Sequence, residues 1–186
     1  MDLNRLTKGE KLAGIAALVL FILSFVPMWA SFGTETDIPE AEIFGNIETK
    51  TDYNAWSGYG FTMTIAMILC LVIVALVIAR AAGALDRVNL PAPLGVVLAG
   101  AGALVLLIML FSLLTGPSGQ NEVDFGGVKY VAERGLLLYV GILLAAATAL
   151  GGFLHMKEEG STPAQLGGTG TGTGPAGPPP QRPPGT

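Results

Sequence analysis

The chain has little charge, one cysteine and one histidine. Only 13% of its 186 residues are Asp, Glu, Lys or Arg, against about 25% in a typical soluble domain. A soluble chain this poor in charge would have too little polar surface, so we expect a membrane protein. Cys70, the single cysteine, excludes an intrachain disulfide and a multi-cysteine metal site. The net charge of −4, without a dense Lys/Arg run, argues against a nucleic-acid partner.

Charge is absent from four long apolar stretches of the sequence. The hydrocarbon core of a bilayer is about 30 Å thick, and a helix needs about 20 apolar residues to cross it. Each stretch meets that length, and none alternates as a membrane strand would, so each is predicted to be a transmembrane helix. The predicted spans are residues 12–32, 60–80, 94–114 and 136–154.

These spans predict an all-α membrane protein, built as a four-helix up-down-up-down transmembrane bundle with a disordered C-terminal tail. A cleaved signal peptide is the alternative for the first span, but its apolar run is about twice the usual length. The predicted divisions are a cytoplasmic N-terminus at 1–11, a transmembrane domain at 12–156 with outer loops at 33–59 and 115–135, and a Gly/Thr/Pro-rich cytoplasmic tail at 157–186.

The distribution of basic residues predicts the orientation. Cytoplasmic loops of membrane proteins carry an excess of Lys and Arg. Seven basic residues lie in the N-terminal segment, at the end of span two and in the loop after it, and in the tail, and three lie in the other two loops. Nine of the fourteen acidic residues are in those two loops. Both termini are therefore predicted to be cytoplasmic.

The two outer loops carry patterns of local structure. In the first loop, apolar residues from about Pro39 to Ile47 are spaced for a short surface helix. In the second, apolar residues alternate around Gly126-Gly127 between Val123 and Tyr130, which predicts a short hairpin. Two strands alone are marginally stable, so this hairpin would need support from the first loop.

Small residues recur at four-residue spacing within the spans, and such stripes let helix backbones approach closely in lipid. Most of them are expected to pack the chain against itself, and homodimerisation through an exposed stripe is the alternative. The predicted packing positions are Gly95, Ala99, Ala103, Gly141, Ala145 and Ala149. Aromatic residues at the outer ends of spans one and two are predicted interface anchors: Trp29, Trp56 and Tyr59.

Apart from Arg80, the last residue of the second span, none of the predicted spans contains Asp, Glu, Lys or Arg, the usual mark of ion paths, proton relays and substrate sites in membranes. His155 lies at the inner end of span four and is expected to be an interfacial residue. Cys70 lies near mid-span and is expected to be a buried apolar side chain. The sequence therefore predicts no catalytic residue, no cofactor-binding residue and no metal ligand.

Short motifs mark the ends of the spans. The sequence KGEKLAG at 8–14 leads into span one, PMW at 27–29 closes it, NAW at 54–56 precedes span two, and GGFLHMKE at 151–158 closes span four. This arrangement, over about residues 5–159, resembles uncharacterised small four-pass membrane proteins of actinobacteria. The resemblance implies a bacterial plasma membrane, and it carries over no activity and no catalytic residue.

Three functions remain open. The leading hypothesis is a non-enzymatic scaffold or accessory subunit of the cell envelope, with a protein partner at the outer loops or the Pro-rich tail. The second is a small transporter or channel formed by oligomerisation. The third, an enzyme acting on lipids, lacks a visible nucleophile or carboxylate pair. A pore would have to be lined by the hydroxyl residues Ser24, Thr62, Thr64, Ser112 and Thr148.

Overall fold

The computed structural model describes residues 6–36, 49–85, 92–117, 124–125, 128–158 and 160. Within these residues the chain is mostly helical and also contains a small sheet. Its helices are α1 (Lys8–Leu23), α2 (Ala55–Ala81), α3 (Leu94–Thr115) and α4 (Leu136–Glu158). Its strands are β1 (Ala30–Thr36), β2 (Thr49–Tyr53), β3 (Asp124–Phe125) and β4 (Val128–Arg134).

Among the described residues, three helices are long and apolar enough to cross a membrane: α2, α3 and α4. The helix α3 begins at the predicted residue, Leu94, because Pro93 precedes it as the N-cap. The helix α2 begins five residues earlier than the predicted span, and Gly60 bends it with φ 59° and ψ −138°.

The first helix is shorter than the predicted span of residues 12–32. It has 16 residues, which is about 24 Å of helix, less than the thickness of a hydrocarbon core. Residues 24–27 form turns and bends after it, and residues 30–32 already belong to β1. Apolar composition continues through this segment, so composition alone could not reveal where the helix ends.

The helices lie side by side, and each contacts its neighbours in the ring α1–α2–α3–α4. The start of α1 lies beside the end of α4, since a Cβ at Gly9 would be 2.5 Å from His155 N. Gly14 of α1 lies against Val77 near the end of α2. Gly152 near the end of α4 lies against Ala99 near the start of α3, so neighbouring helices in this ring are antiparallel. We call the end where α1 finishes and α2 begins the sheet end, and the opposite end the far end.

Large apolar side chains fill the space between the helices. These side chains are fully buried, so the burial of apolar surface and dispersion contacts hold the helices together. They include Leu20, Met63, Met67, Ile73, Leu98, Val105, Met109 and Leu138. The outward faces are apolar as well, and their exposed residues include Ile15, Phe61, Leu107, Leu143 and Leu150. An apolar exterior of this extent is typical of a surface that faces lipid.

A four-stranded antiparallel sheet stands at the sheet end, in the order β2-β1-β4-β3. The expected hairpin of the second outer loop is confirmed by the pairing of β3 with β4. The expected support from the first loop is confirmed too, since β4 pairs with β1 along seven residues. The prediction of an all-α fold was wrong, because the chain also contains this sheet. The pairing of β1 with β4 joins residues about a hundred positions apart and therefore leaves no local signal.

Backbone hydrogen bonds join the sheet to the helices around Met28 and Trp29. The amides of both residues donate to the Tyr53 carbonyl at 3.3 and 3.0 Å, on the strand that leads into α2. Their carbonyls accept from Leu137 N at 3.2 Å and Gly135 N at 2.8 Å, where α4 begins. Met28 has a φ of 147°, a region that side chains other than glycine rarely occupy. We call residues 24–30 with these partners the junction.

Two sequence predictions fall on residues that the structure does not describe. The surface helix expected from about Pro39 lies within 37–48, and most of the tail expected to be disordered lies within 161–186.

We expect that Gly152→Ala destabilises the packing of α4 on α3. A Cβ at Gly152 would overlap the backbone of Leu98 and Ala99, and overpacking of this kind costs about 1–3 kcal/mol. The matched control is Gly100→Ala on α3, where an added Cβ meets nothing within 4 Å and should stabilise the helix by about 0.5–1 kcal/mol. Equilibrium unfolding in detergent micelles measures both. Equal effects of the two substitutions would contradict the close approach of α3 and α4.

Candidate functional site

A buried charged group lies at the far end, where α1 begins. Thr7 is the N-cap of this helix, and its hydroxyl oxygen accepts from Glu10 N at 3.2 Å. The Glu10 carboxylate in turn accepts from Thr7 N at 2.7 Å through Oε2. This reciprocal capping box satisfies amides that the helix itself leaves without partners. It also fixes the Glu10 side chain, which is 1% exposed.

The second oxygen of Glu10 faces two basic side chains from other helices. Oε1 lies 3.4 Å from His155 Nε2 on α4 and 3.7 Å from Arg80 Nε on α2. His155 is also 1% exposed, whereas Arg80 is 38% exposed and reaches toward solvent. A buried carboxylate must be paired to be tolerated, and these contacts, of which the one with His155 is ionic only when the imidazole is protonated, offset the burial of Glu10 between α2 and α4. We call Thr7, Glu10, Arg80 and His155 the far-end cluster.

Glycines bring the cluster together by allowing the backbones of α1 and α4 to touch. A Cβ at Gly9 would lie 2.5 Å from His155 N, and a Cβ at Gly151 would lie 2.5 Å from Ala13 N. Larger residues at either position would push the two helices apart. Because Gly9 and Glu10 are adjacent in the chain, the contact places the carboxylate directly beside the imidazole.

In the far-end cluster a hydroxyl, an imidazole and a carboxylate lie one after another in space. Thr7 Oγ1 lies 3.0 Å from His155 Nδ1, and His155 Nε2 faces Glu10 Oε1. Such an order can relay a proton or raise the nucleophilicity of the hydroxyl. Here, however, the Thr7 oxygen is held as the acceptor of a helix cap. The cluster therefore serves first as an anchor between three helices.

Sequence reasoning missed this cluster. His155 was expected at an interface, and the structure instead buries it among the helices. Glu10 was assigned to the N-terminal segment outside span one, but α1 begins at Lys8 and includes it. The signal that could have located Glu10 is the capping box Thr7-Lys8-Gly9-Glu10. No local pattern could have identified His155 as a partner of this capping box, because His155 is 148 positions from Thr7 in the sequence.

The predicted anchors Trp29, Trp56 and Tyr59 lie at the junction. Trp29 is fully buried, and its Nε1 donates to the Leu23 carbonyl at 2.8 Å. The Tyr59 hydroxyl donates to the Trp29 carbonyl at 3.2 Å. Trp56 is half-buried and donates through Nε1 to Ser24 Oγ at 3.0 Å. These side chains therefore hold the end of α1 against the start of α2.

The predicted packing positions on α4 lie against other parts of the molecule. Ala145 is fully buried, and a Cβ at Gly141 would lie 2.8 Å from the Trp29 ring. A Cβ at Gly102 of α3 would lie 2.8 Å from Ala149 Cα, and Gly102 was not among the predicted positions.

The predicted positions on α3 divide between the interior and the surface. Gly95 is buried, and Ala99 lies beneath Gly152 of α4. The side chain of Ala103 is exposed on the outside of the helices.

The hydroxyl residues proposed for a pore lie mostly inside the chain. Ser24, Ser112 and Thr148 are buried, and Thr62 and Thr64 are half-buried. The hydroxyls of Ser24, Thr64 and Thr148 donate to carbonyls of their own helical turns. These five residues do not form a continuous polar surface.

Cys70 is fully buried among apolar side chains of α2. In the part of the chain that the structure describes, no group of three or more His, Cys, Asp or Glu residues could hold a metal ion.

No protein-family model and no curated protein matches this chain.

We expect Glu10 and His155 to stabilise the fold as a coupled pair. Glu10→Ala and His155→Ala should each lower the free energy of unfolding by about 3 kcal/mol, because each leaves a buried polar partner behind. The double variant should lose about 1–2 kcal/mol less than the sum of the single losses. Unfolding equilibria in detergent micelles measure all three.

The matched control is Glu158→Ala, which removes an exposed carboxylate from the end of α4 at the same end of the molecule. It should change the stability by no more than about 0.5 kcal/mol. Strictly additive losses for Glu10 and His155 would contradict their interaction.

Proposed function

We propose that this chain is an integral plasma-membrane protein that crosses the bilayer four times and acts as a non-enzymatic scaffold or accessory subunit in the cell envelope. The observation that carries the proposal is the rigid attachment of the sheet to the helices. The strand β2 runs into α2, and β4 runs into α4, with a single residue between strand and helix in each case. Such a sheet is a fixed platform on which a partner can dock.

The packing of α1 supports four passes, although this helix is short. It lies antiparallel to α2 and α4, both of which are long enough to cross. The exposed residues that follow it, Phe25, Val26 and Met28, are apolar. Non-helical backbone is tolerated at membrane depth where protein satisfies its polar groups. The junction supplies hydrogen bonds of that kind to Met28 and Trp29.

The charges at the two ends support an orientation with both termini in the cytoplasm. Lys8, Lys11, Arg80 and Lys157 belong to the helix turns at the far end. The strands at the sheet end carry fewer basic residues. Since basic segments stay on the cytoplasmic side, the sheet would lie outside the cell.

The carboxylates of the sheet support a non-enzymatic role. Asp52 accepts a hydrogen bond from Ser31 Oγ at 2.6 Å. Glu133 forms an ion pair of 3.1 Å with Lys50, and both side chains are more than half exposed. Each of these described carboxylates has a single local partner in an open surface, which is the usual environment of a solvated charge.

The burial of the hydroxyl residues argues against the alternative, a transporter or channel formed by oligomerisation. The interior of one chain is filled by apolar side chains, so a pore would have to form between chains. The outward faces that would line it are apolar. A homo-oligomer remains compatible with the scaffold role, and Ala103 and Gly100 are small exposed residues on α3.

We expect a photo-crosslinking residue at Thr51, on the exposed strand β2, to capture a protein partner in native membranes. The matched control is the same residue at Leu143 on α4, which is exposed among apolar side chains and should give lipid adducts only. Mass spectrometry of the adducts identifies what each position touches.

Two results would contradict the scaffold proposal. One is the absence of any protein adduct at Thr51, and the other is solute flux through liposomes that contain only the purified chain.

A further inference from the structure

An apolar groove opens on the outside of the molecule between α1 and α2. Its volume is about 340 Å³, and its walls include Ile15 and Leu18 of α1 and Val74 and Ile78 of α2. Lys11 is the one charged side chain among the described residues that line it. The groove runs from this lysine toward the sheet end.

Gly14 explains why the two helices leave a groove there. A Cβ at this position would lie 2.9 Å from Val77 Cγ1, so the absence of a side chain lets α1 approach α2 closely. On either side of that contact, Ile15 and Ile78 point outward and are exposed. The close contact forms the floor of the groove and the outward side chains form its walls.

Basic residues of α1 and α2 lie near the far end of the groove. Lys11 and, one turn earlier, Lys8 are exposed on α1. Arg80 follows Ile78 on α2 and lies 3.7 Å from Glu10 Oε1. Among the described residues of α1 and α2 at this mouth, the buried carboxylate offsets one positive charge, and the two exposed lysines leave a net positive charge. The opening is therefore apolar along its length and cationic at one end.

We propose that this groove binds one acyl chain of an anionic phospholipid, whose phosphate lies against Lys11. The polarity of the groove matches such a lipid, with an apolar tail in the channel and a negative headgroup at the cationic mouth. Lipid tails gain little by leaving one apolar environment for another. The headgroup charge therefore provides the preference, and the groove fixes the position of the tail.

The inference rests on the membrane placement proposed above and is independent of any partner at the sheet. Failure of the lipid-binding proposal can be distinguished from failure of the scaffold proposal, since the crosslinking residue at Thr51 lies at the opposite end of the molecule from Lys11.

The test is native mass spectrometry of the full chain in mild detergent. Phosphatidylglycerol and phosphatidylcholine with identical acyl chains are added in equal amounts, and the retained lipid is counted. We expect preferential retention of phosphatidylglycerol. Lys11→Gln should reduce that preference about fivefold, since one basic residue contributes about 1 kcal/mol to anionic lipid binding. Ile78→Trp, which fills the groove at an exposed position, should reduce it at least as much.

Two control variants match these changes elsewhere on the molecule. Lys157→Gln removes a lysine of the far end that lies over the Phe153 ring, 4.8 Å from its centroid. Leu143→Trp adds an indole to the outward face of α4. Neither residue lines the groove, so both variants should retain phosphatidylglycerol as the unmodified chain does.

Three results would overturn the proposal. Equal retention of the two lipids would show that the site does not select the headgroup. Competition by inorganic phosphate, with no effect of Ile78→Trp, would indicate an anion site without a tail. Dimers that dissociate in the Ile78→Trp variant would identify a second copy of the chain as the occupant.

Discussion

The hydrogen bonds around Met28 and Trp29 are the constraint on which the rest of the structure depends. Four backbone groups of these two residues are paired with the strand before α2 and with the start of α4. The indole of Trp29 joins α1 to α4 in the same region, because its Nε1 donates to the Leu23 carbonyl and its ring packs over Gly141. In one place, these contacts end the first helix, begin the sheet and fix the positions of two other helices. A residue with φ of 147° is costly, and the surrounding hydrogen bonds hold it there.

This junction also reconciles a short helix with a long apolar segment. An α1 of 16 residues is too short to cover a hydrocarbon core alone. Because the polar backbone after it is satisfied within the protein, the chain can continue through an apolar environment as turns and extended residues. At the far end, the buried carboxylate of Glu10 has the corresponding role. It caps α1 and pairs with His155 and Arg80, so both ends of the shortest helix are fixed by polar contacts inside an apolar molecule.

The parts of the fold that could be predicted are those with a local cause. The start of α3 follows from Pro93, and the hairpin in the second loop follows from alternation around two glycines. The end of α1 could not be predicted, because Phe25 and Val26 are as apolar as the helix before them. The strand β1 has little alternation and depends on β4, far along the chain. Likewise, the capping box shows that Glu10 belongs to a helix start, whereas its contact with His155 arises only from the packing of α1 on α4.

Cysteine accessibility on intact cells tests the central claim, the four-pass placement, most directly. In a Cys70→Ala background, which removes the one buried thiol, single cysteines replace Lys8, Thr51 and Glu158, all of which are exposed. A membrane-impermeant maleimide should label the Thr51 position on intact cells and the other two only after permeabilisation. Labelling of the Lys8 and Thr51 positions from the same side would contradict the account, because α1 would then not cross the membrane beside α2.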